Sequence, residues 1–434
     1  MTPESSSSSS GHSPSPPRPE AKEPRIIACH ECDLLHTIYP LGAGEKGCCR
    51  RCGAFLYESV PHGLERALAL NLGAAMLLVL ANAFPFLSLK LSGVTAENLL
   101  ASGAFALQRL GMGELGLLVL VTTVLCPLLT ITGTLAILFP LTLRRRPPWL
   151  GPLFRVVKAV TPWSLPAVFM LGVLIACVKL KDLAQVIPGP ALFCFTGLVL
   201  VFAATTAHFD AGLIWSRGRR LPAGNKPGAT AMECGLFHCH TCSYLVTEEE
   251  VAATGSQRCP RCTTPLHQRK QESLERTLAY CLGAIILLIP ANIYPVMTVI
   301  QLGQGAPNTI FSGVIHLIDG GLWVLALIVF FASFVVPILK LTALGFLLLS
   351  IRRQSPWRPR DRTFLFRVTE MVGSWSMVDI YVIAILTALV RFEALANITP
   401  GVGAIFFAGV VVLTLCAAQS FDPRLIWDNR RDGA

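Results

Sequence analysis

Two copies of one module make up this chain of 434 residues, and each copy begins with two CxxC pairs. In both copies 16 residues separate the pairs, and the second set follows the first at an offset of 210. The offset also holds in the apolar stretch that follows, where 13 of 22 positions are identical between residues 64–85 and 274–295. The chain must therefore contain the fold of this module twice.

The composition places both copies in a membrane. Hydrophobic residues make up 53% of the chain and charged residues 14%, with a mean hydropathy of +0.58, which is far from the balance of a soluble domain. Crossing a hydrocarbon layer takes about 20 apolar residues. Each half offers four such segments, at 66–87, 114–140, 164–185 and 191–214, then at 276–297, 322–350, 375–396 and 401–419. We predict eight spanning helices, and thus an all-α polytopic membrane protein with tandem duplicated four-helix units.

The predicted domain boundaries follow from the same pattern. Residues 1–25 are rich in Ser and Pro and are expected to be a disordered tail. We then expect a β zinc ribbon at 26–60, a transmembrane unit at 61–217, a linker at 218–233, a second ribbon at 234–270, a second transmembrane unit at 271–428 and a short tail at 429–434. Each transmembrane unit is thus preceded by its own small ribbon, and we expect that ribbon to lie beneath it.

The orientation is predicted from lysine and arginine, which gather in the loop after the second helix of each copy. These residues are Arg144, Arg145, Arg146, Arg155 and Lys158 in the first copy, and Arg352, Arg353, Arg358, Arg360, Arg362 and Arg367 in the second. The opposite loops are poorer in basic residues. Both termini and both cysteine modules are then cytoplasmic, and the net charge of +10 gives little reason to invoke nucleic acid.

The cysteines are the strongest chemical signal. Two CxxC pairs can place four thiolates around one tetrahedral ion, and this spacing is typical of a zinc ribbon. The predicted ligands are Cys29, Cys32, Cys49 and Cys52 in the first copy, and Cys239, Cys242, Cys259 and Cys262 in the second. Iron is an alternative, because four cysteines suit either metal, and disulfides are a further one. Since four thiolates leave no open position, we expect two structural sites and no catalysis there.

Several other side chains lie near these pairs. They are His30, His36, His238, His240 and Cys48. We interpret them as surface or packing residues and not as ligands.

An Asn and a Pro recur near the end of the first helix of each copy. Asn82 with Pro85, and Asn292 with Pro295, put a polar side chain beside a helix breaker. One interpretation is a kink whose freed carbonyls the Asn satisfies. The other is a broken helix that lines a cavity, and the residues do not decide between them.

The two copies differ in charge inside the membrane. Lys340 in the second copy corresponds to Thr130 in the first, and Asp379 corresponds to Ala167. Intramembrane charges are costly and often mark a transport pathway or a proton relay, although a structural ion pair or a snorkelling lysine is the alternative. Both residues approach from the same side, so the sequence allows them to form a pair.

The complete arrangement resembles the paraquat-inducible protein A family of Gram-negative inner membranes. The resemblance is carried by duplicated ribbons that lead into LER and ANxxP, a WS-containing helix and a closing FDxxLIW, over about residues 26–428. It implies lipid movement between the inner and outer membranes, with a periplasmic MCE partner whose rings form a hydrophobic tunnel. By matching position, it implies that Lys340 and Asp379 are the family's polar membrane residues and that the eight cysteines are its metal ligands. Ala167 is a departure from the WSMxD run, so the two copies are not equivalent.

Two other functions remain open at this point. A secondary transporter of a small amphipathic or cationic compound would work in liposomes without a periplasmic partner. A membrane scaffold or metal-responsive regulator would tolerate Lys340→Ala and Asp379→Ala but not Cys239→Ser. The sequence contains neither GxxxxGK[ST] nor a GxGxxG after a strand, so energy would come from an ion gradient or a partner. We do not expect an enzyme.

Overall fold

The structure is a computed structural model that describes residues 25–39, 41–42, 44–59, 62–91, 94–180, 185–215, 218–220, 228–255, 257–301, 304–319, 321, 323–389, 391–392 and 396–428. The predicted tail up to residue 24, the middle of the predicted linker and residues 429–434 lie outside this part. The described chain is mostly helical, with short β-sheets at both ends of the helix bundle.

The first cysteine module, which we call ribbon 1 (residues 25–59), consists of two antiparallel hairpins. Its strands are β1 (Arg25–Ala28), β2 (Leu35–Ile38), β3 (Lys46–Cys48) and β4 (Phe55–Glu58). β1 pairs with β2 and β3 pairs with β4, so each hairpin turn contains one CxxC pair.

Unit 1 follows ribbon 1 and contains the first four spans. Its elements are α1 (Gly63–Ala83), β5 (Leu87–Leu91), β6 (Val94–Asn98), α2 (Ser102–Arg109), α3 (Gly113–Leu120), α4 (Cys126–Thr142), α5 (Leu150–Val160), α6 (Pro166–Leu180), β7 (Gln185–Pro188), α7 (Pro190–His208) and α8 (Ala211–Ile214). A π-helical turn (Val121–Leu125) joins α3 to α4, and a 3-10 turn (Thr161–Trp163) joins α5 to α6. β5 pairs with both β6 and β7.

The second cysteine module, ribbon 2 (residues 228–270), begins after the short strand β8 (Arg219–Arg220), which pairs with β1. It contains β9 (Leu236–His238), β10 (Leu245–Thr247) and α9 (Glu248–Thr254). β9 and β10 form one hairpin around the first CxxC pair, and an isolated bridge between Arg258 and Pro265 closes the turn around the second.

Unit 2 repeats the order of unit 1. Its elements are α10 (Ser273–Ile293), β11 (Met297–Gln301), β12 (Gln304–Asn308), α11 (Ile310–Asp319), α12 (Trp323–Phe330), α13 (Val336–Arg352), α14 (Pro359–Gly373), α15 (Val378–Leu389), β13 (Arg391–Phe392), β14 (Ala396–Pro400), α16 (Val402–Ser420) and α17 (Leu425–Asp428). A π-helical turn (Phe331–Val335) joins α12 to α13, and a 3-10 turn (Ser374–Met377) joins α14 to α15.

Eight helices in the described chain are long and apolar enough to cross a membrane, as predicted. They lie at Gly63–Ala83, Gly113–Thr142, Leu150–Val178 and Pro190–Ala207, then at Ser273–Ile293, Ala326–Arg352, Pro359–Leu389 and Val402–Ser420. Together with the composition, they make this an integral membrane protein. We call the side with the cysteine modules the ribbon end and the side with β5–β7 and β11–β14 the sheet end.

The third span of each unit begins earlier than hydropathy predicted. α5 and α14 are more polar helices that continue through a 3-10 turn into the apolar α6 and α15. Arg155, Lys158 and Arg367, which we expected in loops, therefore lie on helices. Their charged groups bond to protein oxygens at the ribbon end: Arg155 to Thr263 O, Lys158 to Phe209 O and Arg367 to Glu31.

The π-helical turns occur at matching positions in the two units. Each ends two residues before a proline, Pro127 in unit 1 and Pro337 in unit 2. Proline lacks an N–H and clashes with the carbonyl four residues before it, and a wider turn relieves this conflict inside a span.

Each ribbon packs against the transmembrane unit of the other copy. The cysteines of ribbon 1 share a buried cluster with α13, α14 and the C-terminal segment of unit 2: Leu347, Leu348, Ile351, Phe366, Phe421, Ile426 and Trp427. The cysteines of ribbon 2 share a cluster with unit 1 residues Ala67, Ile137, Leu138, Leu150, Phe154, Val157, Phe209, Ala211 and Ile214. We had expected each ribbon to lie beneath the unit that follows it, and the packing is crossed.

The two units meet through α15, which is almost completely buried. Every residue of α15 except Asp379 is buried, and the helix packs against α6 and α2 of unit 1. The Tyr381 ring lies 5.4 Å from that of Phe169, and its hydroxyl donates to Thr122 Oγ1 at 2.9 Å. One helix of the second copy is therefore part of the core of the first.

Candidate metal centres and membrane site

All four CxxC pairs adopt the same turn. In each pair, the backbone N–H of the residue after the second cysteine donates to the carbonyl of the first cysteine at 2.8–2.9 Å. The donating residues are Asp33, Gly53, Ser243 and Thr263, and all four have φ between 54° and 74°. This left-handed conformation is unfavourable for the three that are not glycine. Because this backbone conformation costs free energy, an interaction stronger than the local backbone preference must hold the cysteines in place.

The eight predicted ligands form two compact sulfur clusters. Within each cluster the sulfur atoms lie within 4.8 Å of one another, and all eight cysteines are buried. The closest pairs are 3.4–3.5 Å apart. A disulfide needs about 2.05 Å, whereas a tetrahedron with metal–sulfur bonds of about 2.3 Å has edges of about 3.8 Å. The cysteines are free. The arrangement fits a metal ion at each site and does not fit the disulfide alternative.

Polar side chains lie beside the sulfur atoms, and they differ between the ribbons. In ribbon 1, His36 Nε2 lies 3.2 Å from Cys49 Sγ. In ribbon 2, Thr264 Oγ1 lies 3.1 Å from Cys262 Sγ. An imidazole N–H at this distance stabilises thiolate charge and orients the metal ligand. The hydroxyl of Thr264 donates to Thr241 Oγ1 at 3.0 Å, so it is a polar neighbour of Cys262 and not its hydrogen-bond donor. His36 is thus a neighbour of a ligand, which agrees with our view that it does not itself bind the metal.

Ion pairs join both ribbons to the C-terminal segment of unit 2. Asp33 of ribbon 1 accepts a hydrogen bond from Arg269 of ribbon 2 at 3.1 Å. Arg269 also donates to Asp428, at 2.6 and 2.8 Å. These carboxylates outweigh the effect of burial and raise the pKa of Arg269 above its usual range. The guanidinium of Arg269 in ribbon 2 therefore binds both ribbon 1 and the C-terminal segment of unit 2.

Asp422 and Arg424 of the closing FDPRLIW motif form a buried pair at 2.9 Å. Burial alone would raise the pKa of Asp422, but the hydrogen bond and charge of Arg424 lower it below its ordinary value. Arg424 also lies 2.9 Å from His240, and burial together with this charge lowers the pKa of His240 to about 4. His240 is therefore neutral at pH 7. Asp422 also accepts a hydrogen bond from the backbone N–H of Lys270 at 3.0 Å, so it joins unit 2 to ribbon 2.

The Asn and Pro residues of the first spans end their helices. Asn82 and Asn292 each donate to the carbonyl four residues earlier, at 2.8 Å. α1 and α10 run without a break to Ala83 and Ile293 and stop before the prolines. Each Asn thus bonds a carbonyl inside a continuous helix, so these contacts match neither the proline-freed carbonyl of our first interpretation nor the broken helix of the second.

The carbonyls of Pro85 and Pro295 help to close the sheet end of each unit. The N–H of Ala191 donates to Pro85 O at 3.3 Å, and that of Gly403 donates to Pro295 O at 3.0 Å. Each proline therefore lies where the first and last spans of its unit meet.

Lys340 is buried in the middle of unit 2, with 2% of its surface exposed. Its Nζ donates to Gly373 O at 3.3 Å and to Thr414 Oγ1 at 3.0 Å. Within the described chain, no carboxylate lies within ion-pair distance of this ammonium. At the matching position in unit 1, Thr130 shares a neutral hydrogen bond of 3.1 Å with Ser164. The buried charge is thus a property of the second copy.

Asp379 lies in the first turn of α15 and is half-buried. The pair with Lys340 that the sequence allowed is not formed, because Lys340 contacts neutral oxygens instead. Ser376, three residues before Asp379, is 1% exposed, and its Oγ has no hydrogen-bond partner among the described residues. Lys340 lies on α13, which packs against α14 and against the 3-10 turn that contains Ser376, and Asp379 follows that turn at the start of α15.

The sequence analysis missed the partners of Lys340. Gly373 contributes a backbone carbonyl, which no residue pattern reveals. Thr414 lies in an apolar helix at a position where unit 1 has Phe202, and this difference between the copies was the available signal.

Comparison with known families supports the duplication. The family described as paraquat-inducible protein A matches residues 64–218 and 274–431, once in each half. No solved structure matches this chain significantly.

Curated relatives align over almost their whole length. Intermembrane transport protein PqiA of Escherichia coli (strain K12) is 33% identical over 411 residues, which cover 93% of this chain and 96% of the relative. Lipophilic envelope-spanning tunnel protein A of the same strain is 29% identical over 405 residues, covering 93% and 92%. A probable intermembrane transport protein of Haemophilus influenzae is 27% identical over 416 residues, covering 93% and 96%. Two of these relatives are named for transport and one for a tunnel. The chain belongs to the paraquat-inducible protein A family.

Proposed function

We propose that this protein is the inner-membrane component of an intermembrane lipid transport system in a Gram-negative bacterium. It passes phospholipid to or from a periplasmic tunnel protein of the MCE class. Two relatives are named for intermembrane transport and one for a lipophilic envelope-spanning tunnel, which supports transport of an apolar cargo across the envelope.

The observation that carries the proposal is that the ammonium of Lys340 is buried and bonds only to neutral oxygens among the described residues. Its ammonium has three N–H donors, and two of them are used by Gly373 and Thr414. A buried cation without a carboxylate partner costs several kcal/mol and is kept where function needs it. A phospholipid phosphate is an anion that an ammonium binds well. In this proposal Lys340 contacts the headgroup, and Asp379 supplies a second ionisable group for a proton or for the headgroup amine.

We assign the two ribbons a structural role with zinc as the metal. Four thiolates close each site, so neither substrate nor an activated water can bind there. Asn82, Pro85, Asn292 and Pro295 also act structurally in this proposal, as helix ends. The polar path through the membrane then lies in unit 2 alone.

The charge distribution supports a cytoplasmic position for the ribbon end. Arg144, Arg145 and Arg146 follow α4, Arg352 ends α13 and Arg353 follows it, all on the same side as the ribbons. The sheet end then faces the periplasm, where an MCE partner would receive or deliver lipid.

Purification from the native membrane tests this function. The tagged protein is isolated, and mass spectrometry identifies bound proteins and co-purified phospholipid, with the Lys340→Met variant processed in parallel. We expect an MCE protein with both forms and phospholipid mainly with the unchanged protein. Recovery of the unchanged protein without an MCE partner and without specific lipid would contradict the proposal and favour a small-molecule transporter.

A further inference from the structure

We propose that ribbon 1 positions helix α14 for the Lys340 site, so that a metal centre in the first copy determines the geometry of the membrane site in the second. The inference rests on the proposed function for the role of Lys340. The contacts that carry it are independent of which cargo is transported.

The first contact joins the metal centre to α14. Arg367 of α14 donates through Nε to both carboxylate oxygens of Glu31, at 2.7 and 2.9 Å, and a further bond runs from Nη2 to the same carboxylate. Arg367 Nη2 also donates to the carbonyl of Cys52 at 2.9 Å. Glu31 lies between Cys29 and Cys32, and it is 7% exposed. Multiple charge-assisted bonds of this kind fix both distance and orientation.

The second contact joins α14 to the lysine. Gly373 ends α14 six residues after Arg367, and its carbonyl accepts the 3.3 Å hydrogen bond from Lys340. A Cβ at position 373 would lie 3.2 Å from Lys340 Nζ, so the backbone and the ammonium are already in close contact. Because a helix of this length is stiff along its axis, a displacement at Arg367 moves the carbonyl that orients Lys340.

The corresponding contact between ribbon 2 and unit 1 is weaker than the contact between ribbon 1 and unit 2. The strong contact is therefore not a general requirement for attaching a ribbon to a transmembrane unit. Arg155 corresponds to Arg367 and makes one bond to ribbon 2, from Nη1 to Thr263 O at 3.3 Å. Thr241 stands where ribbon 1 has Glu31, so no carboxylate is present at that position. The unit that Arg155 supports has Thr130 in place of Lys340. The charged contact with a ribbon therefore occurs in unit 2, which is the unit that contains the intramembrane lysine.

Hydrogen–deuterium exchange of the purified, metal-loaded full chain tests the inference. For Arg367→Gln we expect exchange about tenfold faster in peptides from Phe364 to Met377 and around Lys340, which corresponds to about 1.4 kcal/mol of local stability. Arg155→Gln is the matched control and should leave these peptides unchanged. The double variant Glu31→Arg with Arg367→Glu should restore most of the protection.

A second pair of variants tests the role of the metal. Cys49→Ser should raise exchange in α14 of unit 2, and Cys259→Ser should raise it in α5 of unit 1. Metal content, measured on the same samples, confirms which ribbon has lost its ion. The crossed response is specific because a general loss of folding would affect both units.

The possible outcomes separate this inference from the proposed function. Unchanged exchange in α14 after Arg367→Gln, or an equal rise after Arg155→Gln, would overturn the inference whatever the transport result. If Arg367→Gln raises exchange while Lys340→Met leaves lipid transfer intact, positioning by ribbon 1 stands and the role proposed for Lys340 fails.

Discussion

At the scale of single residues, the duplication provides an internal control for every functional assignment. Thr130 and Lys340 occupy matching positions on matching helices, but one makes a neutral hydrogen bond and the other buries an ammonium against neutral oxygens. The same π-helical turn and 17-residue helix occur in both units, so the lysine is not required for this part of the fold. A charge that the fold does not need, and whose burial costs free energy, is best explained by activity.

The first prediction concerns this lysine. Lys340→Met keeps the shape and removes the charge, so we expect thermal stability to stay the same or to rise, because replacing buried charge by apolar groups of similar volume is often stabilising. Lipid transfer should fall by at least about tenfold, while Thr130→Val, the matched control, should retain it. Transfer assayed with the partner, together with a thermal unfolding curve, separates the two effects. Full activity of the Lys340→Met variant would refute the assignment.

A second prediction at this scale concerns the contact between ribbon 2 and unit 1. Gly151 on α5 lies so close to the carbonyl of Arg261 that an added Cβ would overlap with it. Gly151→Val should displace ribbon 2 and cost about 1–3 kcal/mol, as overpacking typically does. Gly73→Ala is the control, since a Cβ there meets nothing within 4 Å. Thermal unfolding, with metal release followed in the same experiment, measures the difference in stability between the two variants. Equal stability would contradict the close contact between Gly151 and ribbon 2.

At the scale of elements, the ribbons are too small to be stable alone. Each consists of short strands with few buried side chains besides the four cysteines in its turns, and domains of this size usually need a metal or a partner surface. Both supports are available here, because the cysteines that could hold a metal ion also pack against a transmembrane unit. We therefore expect metal loss and loss of ribbon docking to occur together.

The third prediction concerns the difference between the two sulfur clusters. His36 lies 3.2 Å from Cys49 Sγ, while ribbon 2 has Val246 at the corresponding position. His36→Val should weaken metal binding by ribbon 1 about tenfold, since partners of metal ligands typically contribute 10–100-fold to affinity. Competition with a chromophoric chelator, with ribbon 2 disabled by Cys259→Ser, measures this. An unchanged affinity would show that the histidine only packs against the sulfur.

Elements also show where prediction from the sequence succeeds and where it stops. Cysteine spacing predicted both sulfur clusters because metal geometry restricts the positions of ligands, and apolar length predicted the eight spans. The sheets at the sheet end were missed because strands such as β5 and β7 are short and adjoin apolar helices. The early start of α14 was missed because Arg362 and Arg367 lower the hydropathy of its first turns. The crossed ribbons could not be predicted, because two similar ribbons fit two similar units and only the tertiary contacts distinguish them.

At the scale of the whole molecule, the two copies are interlocked. Ribbon 1 packs on unit 2, ribbon 2 packs on unit 1, and α15 of unit 2 completes the core of unit 1. Arg269 adds a bridge between Asp33 of ribbon 1 and Asp428 near the C-terminus. Neither half of the chain can bury its apolar surfaces at the ribbon end without the other. The two copies therefore form one structure in which each depends on contacts with the other.

The last prediction follows from this interlocking. If the chain is divided between residues 221 and 227 and the two fragments are co-expressed, the N-terminal fragment contributes ribbon 1 to unit 2 and the C-terminal fragment contributes ribbon 2 to unit 1. We expect the fragments to co-purify in a one-to-one complex that retains both metal ions. Each fragment expressed alone should be degraded or aggregate, because its ribbon and its ribbon-binding surface face solvent.

An N-terminal fragment that begins at residue 61 provides the control. It lacks ribbon 1 but keeps all of unit 1, so it can still contact α15 through α6 and α2. Its complex with the C-terminal fragment should dissociate more readily in detergent, and exchange in α14 should rise because the partner of Arg367 is missing. Stable, monodisperse fragments that do not bind each other would show that the ribbons serve their own units, and the crossed arrangement would have to be abandoned.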